Sequence, residues 1–167
     1  MHLRFLGTGA ADWQQPEPSG EFRRNASMLV DGALLMDGNA TILDMLPTPS
    51  GVEDMFFTHS HDDHFSAEAI RAIAPKRVYA HESWAAGIDA GGAEVVPLRV
   101  GVPVTTPSGF SILPLPANHA TETPSETALH YLIERGGKRL LYATDGAWML
   151  NRARRLIGAL PLDAAVF

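Results

Sequence analysis

Apolar and polar positions along this chain follow two rhythms, short alternating or wholly apolar runs that suit strands and 3.6-residue stripes that suit helices. Residues 2–6 read as a strand running into Gly7-Thr8-Gly9, and the polar, proline-bearing stretch 12–24 reads as a loop. Residues 27–30 and 33–36 are apolar runs flanking Asp31-Gly32, a hairpin signal because both turn positions need positive φ. A helix over 40–46 is ended by Pro47 and Pro49. Then come a strand over 53–57, a helix over 65–74 stopped by Pro75, a strand over 76–80, a helix over 82–89 before Gly91-Gly92, and a strand over 94–98. The second half is more antiparallel in character. Its strands span 102–105, 110–115, 127–134 and 138–143, with turns at Ser108-Gly109 and Gly136-Gly137. A helix over 148–159 leads to a last strand at 163–167.

Strands interleaved with helices and hairpins describe an α/β layered domain, with sheets covered by helices. The 167 residues, 46% of them hydrophobic, suffice for one core and leave no room for two ordinary domains, so residues 1–167 are read as one unit. A formal charge of −6 does not recommend a polyanionic partner. The basic residues of the last third, Arg135, Lys138, Arg139, Arg152, Arg154 and Arg155, make only a thin patch. With no cysteine there is no disulfide, thiolate metal site or cysteine nucleophile, which leaves His, Asp and Glu to hold any metal. No apolar run is long enough for a membrane span and the start lacks a signal peptide's apolar segment, so a cytoplasmic location without membrane contact is expected.

The chemistry is concentrated behind the run Met55-Phe56-Phe57, in Thr58-His59-Ser60-His61-Asp62-Asp63-His64. His59 and His61 are two apart, so their rings leave extended backbone on the same side, while Asp63 and His64 follow where the chain turns towards the next helix. Neutral imidazole is the commonest metal ligand, and this order can face two ions. His2 and His81 read as surface or strand-end residues, and His130 as a strand residue facing water or a satisfied core position. Two further strands run out through Asn118-His119 and Thr144-Asp145-Gly146. Either alone reads as a turn. Together with the first cluster they matter, because ligands at the ends of several strands can converge at one edge of a layered sheet.

On Phe5-Leu6-Gly7-Thr8-Gly9, Asn25-Ala26-Ser27, Leu35-Met36-Asp37-Gly38, the cluster from Thr58 to His64, Asn118-His119 and Thr144-Asp145, the chain resembles the metallo-β-lactamase superfamily of dinuclear metallohydrolases over essentially its whole length. The opening Leu-Gly-Thr-Gly and the Tyr-x-x-Asp ending at Asp145 look most like the branch of phosphodiesterases that includes the phosphoribosyl cyclic phosphodiesterase and ribonuclease Z. The resemblance implies a four-layer αββα fold. It also implies two divalent ions, Zn2+ with Mn2+ as the alternative: His59, His61 and His119 holding one, Asp63 and His64 the other, Asp145 bridging. Asp63 would double as the catalytic proton carrier. Asp37 would accept from a ligand imidazole and fix its tautomer, although a simple turn residue at the hairpin end accounts for it equally well. The family pattern adds a last His after a further strand, whereas no His follows Asp145 here and the only later carboxylate side chain is Asp163. The expectation is a domain lacking its C-terminal part, with the second ion weakly bound. Residues 12–24 hold no cysteine for the structural zinc of some relatives, so that extra site is not expected.

The function implied is hydrolysis by a metal-bound hydroxide, on a phosphodiester in a small molecule or nucleotide. The fold supports other hydrolyses as well, and fold alone does not select among them. Two alternatives stay open: a tRNA-processing endoribonuclease, and a metal-binding module without turnover. Nucleic acid is the less expected partner for an acidic chain, and monomer and homodimer are both open. The polar stretch 120–126, beyond His119, reads as a mobile loop over the site.

Overall fold

The computed structural model describes residues 1–11 and 23–167, so the loop expected over 12–24 lies almost wholly outside the described residues. One sheet contains β1 (Leu3–Gly7), β2 (Ser27–Val30), β3 (Leu34–Met36), β4 (Asp54–Phe56), β5 (Arg77–His81) and β6 (Glu94–Leu98), neighbours in that order. Its first three strands are antiparallel and the rest parallel. The second sheet contains β7 (Val104–Thr105), β8 (Ser111–Pro116), β9 (Leu129–Arg135) and β10 (Lys138–Tyr142), each antiparallel to the next, and β11 (Ala164–Val166), parallel to β10 at the far edge.

The wholly apolar strands are explained by burial on both faces. Met28, Val30, Leu34, Met36 and Phe56 of the first sheet meet Ile112, Leu129, Tyr131, Ile133, Leu140 and Tyr142 of the second in one core. The intervening residues Leu29, Leu35, Met55 and Val78 face the other way, onto Ile42 of a 3-10 helix (Ala40–Met45) and Ile70 and Ile73 of α1 (Ala67–Ile73). Beyond α2 (Glu82–Ala85), the outer face of the second sheet packs Leu132 and Leu141 against Ala153 of α3 (Asn151–Ile157). Helix, sheet, sheet and helix make the αββα layering. None of the described helices is long and apolar enough to cross a membrane.

Local chemistry sets the joints. Asp31 and Gly32 take φ of 49° and 72°, and the Ala33 N–H donates to the Val30 carbonyl at 3.1 Å, closing the β2–β3 turn the dipeptide predicts. Ser66 caps α1 by accepting from the Ala69 N–H. The helices are shorter than their patterns suggest. Residues 40–46 have room for about two turns between the Asn39 cap and Pro47, and the segment settles as 3-10 over Ala40–Met45. The helix expected over 82–89 stops after Ala85, where Gly87 and Ile88 donate to Trp84 and Ala85 in tighter i to i+3 bonds.

These joints matter because of where strands end. β3 and β4 run parallel, as do β8 and β10 on either side of β9, so each sheet delivers two strand ends to a common rim. The Tyr131 hydroxyl donates to the Phe57 carbonyl, and the Leu129 N–H to the Thr58 carbonyl at 2.8 Å, locking the sheets together at that rim.

Phe56 is fully buried, stacks on Tyr79 with ring centroids 4.0 Å apart and meets Tyr131 edge-on. Phe56→Ala should therefore cost about 3–5 kcal/mol of stability. Urea unfolding checks this, with a lower midpoint at unchanged slope expected.

Candidate metal centre

Each of the sequence-selected residues sits just past a strand end at this rim. Asp37 follows β3, the segment from His59 to His64 follows β4, His119 follows β8 and Asp145 follows β10. Between β4 and α1 the chain doubles back through hydrogen bonds from the His64 and Phe65 N–H groups to the His61 carbonyl, at 3.0 and 2.8 Å. This turn brings His64 back beneath His59, with ring centroids 4.4 Å apart.

Among the described residues, the ligand-type atoms form two sets that share His59. His59, His61 and His119 make one, and His59, Asp63 and His64 the other. In the first, His61 Nδ1 lies 2.9 Å from His59 Nε2 and 3.2 Å from His119 Nε2. Nitrogens held 2.0–2.1 Å from a tetrahedral Zn2+ are ~3.3 Å apart, so these spacings suit the edges of such a site. Burial, then the neighbouring imidazoles of His64, His119 and His61, push the His59 pKa down to about 3, and burial lowers that of His119. Neutral rings with converging lone pairs are a donor set that fits a cation.

The second set is electrostatically opposite. His64 Nε2 faces Asp145 Oδ2 at 2.9 Å and Asp63 Oδ2 at 3.2 Å, while its Nδ1 faces Asp37 Oδ2 at 2.9 Å. Burial alone would lower its pKa, but Asp37, Asp145 and Asp63 outweigh burial and push it up to about 12. The hydrogen bond from His64 holds Asp145 down at about 2. Burial would raise Asp63, yet the bond and charge of His64 leave it below the usual carboxylate range. Asp145 Oδ2 is also 3.8 Å from His59 Nε2, so this oxygen stands between the two sets. Asp145 has φ 54°, a left-handed conformation that aims its short side chain back at the rim.

Asp37 lies behind the ligands. It is fully buried and accepts from the Thr58 N–H at 2.8 Å, the Thr58 hydroxyl, His64 Nδ1 and, at 3.1 Å, the Tyr142 hydroxyl. His59 Nδ1 lies 2.9 Å from the Thr58 hydroxyl oxygen, so a proton on Nδ1 and a hydroxyl proton aimed at Asp37 leave His59 Nε2 as a lone-pair donor. Thr58 and Tyr142 were not selected by sequence reasoning. The available signal was their position, Thr58 opening the cluster and Tyr142 at the inward phase of β10. Asn39 was also missed, and its side-chain amide donates to the Asp63 carbonyl at 2.9 Å.

His130 does not join either set. It is buried, its Nε2 donates to the Thr144 carbonyl at 3.1 Å, and its ring fills the space where a side chain on Gly146 would project. His2 is exposed, and His81 caps α2 by accepting from the Ser83 N–H. The segment over 120–126 is less free than its polarity suggests, because Glu126 is bonded to Ser60. A cleft of about 460 Å³ opens beside the ligands, lined by Ala11, Ser60, His61, Asp62, Asp63 and Glu122 among others.

A family model described as a beta-lactamase superfamily domain matches residues 35–167. Among solved structures, Zn2+-bound PqqB from Methylobacterium extorquens superposes with a TM-score of 0.79 at 19% identity, over 99% of this chain and 71% of that one. A diphosphatase of the PhnP family gives 0.66 at 17% identity, over 98% of this chain and 71% of its own. The short form of human tRNase Z gives 0.64 at 16%, over 89% and 71%. No curated protein sequence matches significantly.

The raised pKa of His64 has a measurable sign. Between pH 6 and 9 its imidazolium persists in the metal-free chain, whereas a divalent ion on Nε2 requires the neutral ring, so uptake at this position releases a proton. The apparent affinity there should rise about tenfold per pH unit. Calorimetric titration in buffers of different ionisation enthalpy checks it, and buffer-independent heats would contradict an imidazolium at His64.

Proposed function

The chain belongs to the metallo-β-lactamase superfamily, and on that premise we propose that it is a metal-dependent hydrolase whose substrate is a phosphodiester in a small molecule or nucleotide. The observation that carries this reading is the position of Asp145 Oδ2 between a three-imidazole set and a set containing Asp63 and His64. In this reading His59, His61 and His119 would hold one divalent ion and Asp63 and His64 the other, with Asp145 placed to serve both. Zn2+ suits the nitrogen-rich first set, and the PqqB relative is a Zn2+-bound protein. When bound, the ions supply a water whose pKa is lowered towards ~7 and positive charge for the phosphoryl oxygens.

The chain's own residues do the rest. Asp63 is buried against His64 yet lines the cleft, where its carboxylate is placed to accept a hydrogen bond from the attacking water and orient it, and to carry a proton between water and leaving group. Asp37 and Thr58 fix the orientations of the His64 and His59 rings, so that Nε2 of each is turned to the rim beforehand. The cleft beside them is large enough for a small molecule.

Two relatives favour phosphorus chemistry, since one is named a diphosphatase and another tRNase Z. The chain's formal charge of −6 and the carboxylates of Asp62, Asp63 and Glu122 at the cleft favour a small substrate over RNA.

The metal-loaded chain should hydrolyse bis(p-nitrophenyl) phosphate without binding tRNA. Binding of tRNA with steep salt dependence would instead favour an endoribonuclease, and firm metal binding without turnover a binding module. Asp63→Asn should lower kcat by about 10²–10⁴ while leaving the three-imidazole ion in place. His59→Ala should lose most of the bound metal and all hydrolysis, and Asp145→Ala should lower occupancy at both positions. Elemental analysis showing wild-type metal content in His59→Ala would refute the assignment.

A further inference from the structure

We propose that Glu126 is a positioning residue that sets the geometry of the three-imidazole set by clamping the loop of His119 to the loop of His59 and His61. The inference rests on the reading of these three histidines as ligands of one ion. Both oxygens of Glu126 are engaged by one residue: Oε1 accepts from the Ser60 N–H at 2.8 Å and Oε2 from the Ser60 hydroxyl at 2.6 Å. Ser60 stands between His59 and His61. A bidentate, charge-assisted grip on its N–H fixes the peptide that joins those residues, and with it the directions in which both rings leave the chain.

Glu126 is held in turn. Its N–H donates to the Thr123 carbonyl at 2.9 Å, and the next N–H, of Thr127, donates to the Ser83 hydroxyl at 3.0 Å at the start of α2. At the base of the same loop the Ala117 N–H donates to the Ala128 carbonyl at 3.0 Å. His119 therefore projects from a loop closed at its base and fastened along one side.

The physical need for a clamp lies in the donor set. Three imidazoles turn ring nitrogens towards one point, with His61 Nδ1 only 2.9 and 3.2 Å from its two neighbours. The rings leave from two separate loops, and an ion that had to draw those loops together would spend binding energy on ordering them. Holding the loops together beforehand moves that cost from ion binding to folding. Glu126 is not itself a ligand, since it belongs to neither set and Ser60 occupies both its oxygens.

The test compares the full chain with Glu126→Ala and Glu126→Gln, reading Zn2+ affinity by chelator competition, the visible spectrum of the Co2+ form, and thermal melting of the metal-free proteins. Glu126→Ala should weaken the tighter ion about 10–100-fold, with the tetrahedral Co2+ bands reduced. Glu126→Gln should recover most of both, because its amide can still accept from the Ser60 N–H and donate to the Ser60 hydroxyl. If Glu126→Ala does not fold, Glu126→Asp, which draws the charge back by one methylene, should show the same loss. Wild-type Zn2+ affinity and Co2+ spectrum in the folded Ala or Asp variant would overturn the proposal, even if the metal-free melting temperature falls. A wild-type chain that takes up neither ion would instead overturn the ligand reading on which it rests.

Discussion

One buried carboxylate organises the functional rim. Asp37 ends β3 with φ 52°, without solvent contact, and a charge in that position is tolerable only if its oxygens are fully paired. The partners come from two segments: Thr58 and His64 from the loop after β4, and Tyr142 from β10 of the opposite sheet. Its backbone is held as well, the N–H donating to the Phe56 carbonyl and the carbonyl accepting from the Ser27 hydroxyl at 2.6 Å. The demand to satisfy this one group thus ties together both sheets and the histidine-bearing loop after β4.

The electrostatic division of the centre follows from that arrangement. Asp37 lies on the His64 side, where Asp63 and Asp145 add their charges, so this half attracts a proton or a cation strongly. On the other side His59 reaches Asp37 only through the Thr58 hydroxyl, and burial among other imidazoles keeps it neutral. A carboxylate-rich half thus lies beside an imidazole half within one rim. Asp145, between them, feels both.

The layered core is what makes so small a rim rigid. Strand ends can aim side chains only if the strands do not slide, and the apolar residues packed between and outside the sheets prevent that. His130 shows how closely packing and site are joined, since a buried ring that holds no ligand position still supports the turn of Asp145 through Thr144 and Gly146.

By itself the sequence determined the hairpin turns, the apolar runs that become strands, and the cluster from Thr58 to His64 as candidate metal-seeking chemistry. These are local matters: turn dihedrals, apolar runs, and imidazoles two residues apart on one extended segment. It could not show that Asp37 is more than a turn residue, because an Asp after a hairpin looks the same whether it faces water or four donors. Nor could spacing reveal Tyr142, Asn39 or Glu126, whose roles depend on partners in segments far along the chain. Helix lengths were overread for a related reason, as apolar periodicity persists past the point where a proline or a tighter turn ends the backbone ladder. The tertiary structure decided which lone Asp and His residues converge, since only the parallel alignment of β3 with β4 and of β8 with β10, and the packing of one sheet on the other, brings those strand ends within a few ångströms.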